Sequence, residues 1–154
     1  MANTKRINQV LEKLNYEPEE GKAIVVSYAP ENLSDRIRKF FCSSFCYYNF
    51  FALAFCKESI VLLPFSSYWA DVKKKVTLEL PFSSIRGVKV SESGLDYRID
   101  IQLDSEVISL TAQQAELSAL RTSGALSLED YTFIHNWHTK NLKGTLQALQ
   151  ELGC

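Results

Sequence analysis

The chain is poor in the groups that most enzymes use. Among its 154 residues there are two histidines, four cysteines and six glycines. Both histidines, His135 and His138, fall in the run HNWH, so a nucleophile with its base and orienting acid has little to draw on. The glycines are scattered singly, and no Gly-x-Ser-x-Gly elbow, phosphate loop or dinucleotide fingerprint is present. Paired carboxylates occur at Glu19/Glu20 and Glu129/Asp130, but they flank expected helix starts, where acidic side chains complement the helix dipole. These absences point away from an enzyme.

A charge excess is missing too. Seventeen basic residues face eighteen acidic ones, whereas nucleic-acid binders carry a basic surplus. The opening stretch MANTKRINQVLEKLNYEPEEGK has no continuous apolar core, which argues against a secretory signal peptide. The expectation is a cytoplasmic chain whose Cys42, Cys46, Cys56 and Cys154 stay reduced. From Phe40 to Cys56 no charge appears, but the run is short for a membrane span and Ser43, Ser44, Tyr47, Tyr48 and Asn49 interrupt its middle. It reads instead as a buried strand with an aromatic approach. Cys42 and Cys46 have no histidine nearby, and His135 with His138 lacks further ligands, so neither a metal nor another cofactor is expected.

What is there is a series of short apolar runs between two helical patterns. Asn3 can cap a helix whose Ile7, Val10, Leu11 and Leu14 share one face, with Pro18 and Gly21 as stops. Strand-length runs follow at Ala23–Tyr28, Phe50–Phe55 and Ser59–Phe65, and then at Val76–Leu80, Ile85–Val90, Tyr97–Leu103 and Val107–Thr111. In the sixth, Tyr97, Ile99, Ile101 and Leu103 alternate with Arg98, Asp100 and Gln102, the pattern of a half-buried strand. Ser34–Phe41, with Arg36, Arg38 and Lys39, reads as a helical insertion. At the C-terminal end, Ser127 and Asp130 make a plausible cap pair. Behind them Tyr131, Ile134, Trp137, Leu142, Leu146, Leu149 and Leu152 form one apolar stripe that ends at Gly153. The far half of that stripe is long for the end of a barrel, so it is expected to cover the N-terminal helix or a neighbouring chain.

The expected fold is mainly β: a seven-stranded antiparallel barrel or sandwich with a long C-terminal helix and a short N-terminal one. Residues 1–20 are expected as a helical extension and 21–154 as the body, a single domain overall. The segments FFALAFCKESIVLLPF, LELPFSSIRGVKV and RIDIQLDSEVISLT resemble the bacterial pleckstrin-homology-like pattern: a hairpin, a Pro-aromatic-Ser-x-Ile approach, and a strand pair around a short acidic turn. The resemblance spans about residues 22 to 152 and implies a small barrel plugged by its last helix, acting as a binding module. A lipocalin-like carrier of a small apolar ligand is the rival, but the Gly-x-Trp of that family is missing from GKAIVVSYA.

Two surfaces are candidates for a partner. Tyr68, Trp69, Lys73, Lys74 and Lys75 combine amphipathic aromatics with clustered cations, a pairing suited to an anionic membrane surface. The aromatic run holding Phe40, Phe41, Phe45, Tyr47 and Tyr48, continued by Phe50 and Phe51, has more rings than one barrel face buries, so it is a candidate for self-association or another protein partner. No nucleic-acid partner is expected.

Overall fold

The computed structural model describes residues 3–29, 50–65, 72–74, 76–115, 122–128 and 136–153. Helix α1 (Thr4–Lys13) starts as its sequence implies: the Asn3 carboxamide oxygen accepts the Arg6 backbone N–H at 2.8 Å, and Ile7, Val10 and Leu11 are buried. Neither Pro18 nor Gly21 ends it. The helix stops at Leu14, the chain turns through Asn15 at φ 67°, and Pro18 opens strand β1 (Pro18–Tyr28). Asparagine tolerates the left-handed conformation better than most residues, so the turn comes early. Gly21, at φ 73°, lies where the β1 pairing with the next strand loses register between Pro18 and Ala23. A side chain there would be strained, and glycine is the residue that such a bulge selects.

The other strands are β2 (Phe50–Cys56), β3 (Ser59–Pro64), β4 (Leu78–Pro81), β5 (Gly87–Ser93), β6 (Asp96–Gln102) and β7 (Val107–Gln113). They form one antiparallel seven-stranded sheet in the order β4-β3-β2-β1-β7-β6-β5. Two meanders, β1–β4 and β5–β7, therefore meet only where β1 lies beside β7. All seven expected strands are present, with ends displaced by a few residues. A short 3-10 turn at Phe82–Ser84 leads from β4 towards β5. The predicted insertion at Ser34–Phe41 lies outside the described residues.

The apolar side chains divide between two cores. On the inner face Ile24, Leu53, Phe55, Leu62, Leu80, Ile99, Ile101 and Leu110 form one cluster, so the sheet curls around it from β4 to β6. On the outer face Val25, Ala52, Ala54, Val61 and Leu63 pack with Ile7, Val10 and Leu11 of α1. Strands β2 and β3 are buried along their whole length. This explains why FFALAFC and SIVLLP have no polar alternation, since a strand covered on both faces reads as a continuous apolar run.

The C-terminal helix differs from its sequence reading at its start. A short helix α2 (Thr122–Leu126) ends at Ser127, whose carbonyl accepts the Trp137 N–H at 2.8 Å, and Leu128 bridges back to Asn136. Helix α3 (Trp137–Leu152) begins only there, capped by the Asn136 carboxamide oxygen, which accepts the Thr139 N–H at 2.8 Å. Ser127 thus closes α2 instead of opening α3; Asp130, Tyr131 and Ile134 lie outside the described residues.

The two ends of α3 also serve different cores. Leu142, Leu146 and Leu149 fill the inner cluster and Leu152 packs against it, while Trp137 joins the outer core with Ile7, Val10 and Leu11. It is the near end that meets the N-terminal helix, contrary to the expectation for the far half of the stripe. At the far end, a Cβ on Gly153 would stand 2.7 Å from Val88 N and 2.9 Å from Val88 O. Glycine there is required by the close approach of α3 to β5, not by a left-handed φ.

Candidate functional site

The join between the two meanders is short. Ser27 and Tyr28 of β1 pair with Thr111 and Leu110 of β7, and Ala29 N–H donates to Ser109 O at 2.9 Å. In this register Val25 stands opposite Gln113 and would form the next hydrogen-bonded pair. A side chain takes that position instead. Val25 N–H donates to His138 Nδ1 at 3.0 Å, and His138 Nε2 lies 2.7 Å from Gln113 O. Nδ1 accepts and Nε2 faces a carbonyl, so these partners assign the neutral tautomer with its proton on Nε2.

Neighbouring polar groups continue the arrangement. The Ser27 and Thr111 hydroxyls are 3.0 Å apart, and on the next turn of α3 Asn141 Nδ2 donates to Ala23 O at 3.1 Å. The Gln113 side-chain oxygen accepts the Ser123 N–H at 2.9 Å. The first turns of α3 therefore stand in for a strand beside the upper part of β1. His138 is wholly buried; His135 lies outside the described residues. With both ring nitrogens turned to backbone groups, this imidazole is not presented to a ligand.

Among the described residues, two recesses border α3. One, of about 650 Å³, runs between α1, the start of β1 and α3, with Lys5, Asn8, Glu12, Glu19, Lys140 and Asn141 on its walls. Its lining mixes both signs of charge. The other, of about 520 Å³, lies between α3 and the β5–β6 pair. Val90, Tyr97, Leu142 and Leu146 line it, with Lys143 and Gln147 on the rim. Among the described residues β5 has a strand neighbour on one side only, so this groove adjoins a sheet edge.

Of the predicted surface residues, Lys73 and Lys74 are exposed, just after Val72, which is buried and bridges to Phe65. Lys73 N–H donates to Pro64 O at 2.8 Å, which ties this stretch to the end of β3. Tyr68, Trp69 and Lys75 lie outside the described residues, as do Phe40, Phe41, Phe45, Tyr47 and Tyr48. The continuation of the aromatic run at Phe50 and Phe51 is buried, Phe50 in the outer core and Phe51 in the inner one. The run has more rings than one face buries, and for these two residues the second face of β2 takes the surplus, because α1 and the start of α3 cover it.

Two titrating groups sit near the α1–β1 corner. Burial, reinforced by the negative charges of Glu19 and Glu79, pushes the Cys56 thiol from 9.0 up to about 11. Burial and the 2.8 Å hydrogen bond that the Tyr16 hydroxyl donates to Glu79 push Tyr16 from 10.0 up to about 12. Both groups are held protonated by the fold. Stability from Cys56 is complete below pH 9 and is lost as pH rises towards 11; Tyr16 extends the loss towards 12. Urea unfolding across this range is expected to show Cys56→Ala with a flatter alkaline decline than the wild type. Parallel declines would show that the thiol is not held by the fold.

Among the described residues no helix is long and apolar enough to cross a membrane, and no three metal-binding side chains come together. No family model matches the chain, and no curated protein matches it.

Proposed function

We propose that the chain is a non-enzymatic binding module of pleckstrin-homology-like type, engaging a protein surface through the groove between α3 and β5–β6. The observation that carries this reading is the apolar floor of Val90, Tyr97, Leu142 and Leu146 beside an edge strand, rimmed by Lys143 and Gln147. Edge strands and apolar grooves are the two features that protein segments exploit when they dock. The strand order, with two meanders meeting at β1 and β7 and a last helix laid on the inner core, supports the fold assignment. Leu142 and Leu149 occupy that core beside Leu53 and Ile99, which weighs against a lipocalin-like carrier with an open interior.

A second copy of the chain is the simplest protein partner. Light scattering coupled to size exclusion is expected to give a mass that rises with concentration and falls back to the monomer in Val90→Lys. A monomer across the whole range would remove self-association.

The exposed Lys73 and Lys74 favour a second reading, weak attachment to an anionic membrane together with Tyr68, Trp69 and Lys75. Each lysine contributes about 1 kcal/mol at such a surface. Sedimentation with anionic but not neutral vesicles is the expected result, and equal, negligible binding to both would end this reading.

A further inference from the structure

We propose that His138 is a proton-operated latch on the seam between the two meanders. Its imidazole replaces a backbone rung: the Val25 N–H and the Gln113 C=O, which stand opposite each other in the β1–β7 register, are bridged through Nδ1 and Nε2. The bridge works in one protonation state. Protonation at Nδ1 turns an acceptor into a donor facing the Val25 N–H and places a cation where the side chain has no solvent exposure.

The join it secures is the weak point of the sheet. β1 and β2 pair over most of β2, and β6 and β7 over their full lengths, whereas β1 and β7 share two register pairs. Beyond Ser27 the contact passes to α3, through His138 and Asn141. Releasing the imidazole therefore loosens the facing parts of β1 and β7 beside α3, while Trp137 stays in the outer core and each meander keeps its own ladder.

The direction follows from where the ring can take a proton. In an opened seam the imidazole meets water and titrates near its ordinary value of about 6.5. In the closed seam Nδ1 is occupied. Closure is then complete above that value and is opposed as pH falls below it, by about tenfold in the opening constant for each pH unit, as a single bound proton requires. Charged side chains on the elements around the ring set the midpoint: Glu19, Glu20 and Lys22 on β1, Lys5, Arg6, Glu12 and Lys13 on α1, and Lys140, Lys143 and Glu151 on α3. β7 and α2 carry none.

Nitrogen-15 spectra of the imidazole and amide hydrogen exchange, recorded together on the whole chain across an acid titration, test the latch. The expected result is that His138 takes its proton as the Val25 and Ser27 amides lose protection, after correction for intrinsic exchange, while Ala54 and Val61, a facing pair of the β2–β3 ladder, stay protected. In His138→Gln, whose amide does not titrate, the opening at Val25 and Ser27 is expected to lose its pH dependence. The proposal fails if His138 stays neutral until all protected amides are lost together. It also fails if His138→Gln opens along the wild-type curve. Should that variant not fold, the wild-type comparison of His138 protonation with Val25 and Ala54 protection decides alone.

Discussion

Replacing Trp137 by alanine is expected to lower the unfolding free energy by about 3–5 kcal/mol, the range for removing a buried indole. Trp137 has no solvent exposure and heads the fully buried side chains by size. It occupies the first position of α3 and belongs to the outer core with Ile7, Val10, Leu11, Val25 and Leu126. The ring thus joins two helices and the sheet in one contact region, and its loss leaves a cavity that none of them can close alone. Its backbone N–H already binds Ser127 O, so the chain around it is held in place and relaxes little. For a domain with a total stability of about 5–15 kcal/mol, this is a large fraction. Urea unfolding measures it, and hydrogen exchange should show α1 loosening before the inner strands. A cost below about 1 kcal/mol would mean that the indole does not sit in a packed core.

Leu63→Glu is the second large effect, and it separates two readings of the sheet. In a sheet with one wet face, Leu62 and Leu63 point to opposite sides and one of the two positions tolerates a charge. Here Leu62 lies in the inner core and Leu63 in the outer, and neither is exposed beyond 1%. A carboxyl at either site must be buried ionised or kept protonated, and both cost several kcal/mol. Leu63→Glu is therefore expected to unfold the chain at room temperature or to lower its melting temperature as severely as Leu62→Glu. Circular dichroism on heating provides the measurement. A near-wild-type melting curve for Leu63→Glu would show that the face under α1 is open to water.

Both predictions rest on the outer core, and that core was only half legible. The runs FFALAFC and SIVLLP announced strands without polar alternation, and the α1 stripe of Ile7, Val10 and Leu11 announced a face that needed covering. What was not legible is that these two surfaces cover each other, with Trp137 between them. The aromatic run showed the same difficulty from the other side. Phe50 and Phe51 looked too many for one face, and the structure buries one on each.

The start of α3 carries a related lesson. Ser127 with Asp130 satisfies the local pattern of a helix cap, and so does Asn136 further along the chain. Local chemistry does not choose between them. The choice follows from Trp137 and His138, which must reach the outer core and the β1–β7 seam from the first turn of the helix.

By itself, then, the sequence determined the elements: seven strands, an N-terminal helix capped by Asn3, and a C-terminal apolar stripe, because strand alternation, capping and helical periodicity are properties of neighbouring residues. It also determined which chemistries are thinly equipped, since two histidines and scattered glycines are visible without a fold. The tertiary structure decided which faces are dry, where α3 begins, and what His138 does. His138 meets Val25 from 113 positions away along the chain and Gln113 from 25. Contacts at such separations are set by how the strands are ordered and how the last helix crosses them, and no local pattern in HNWH encodes either.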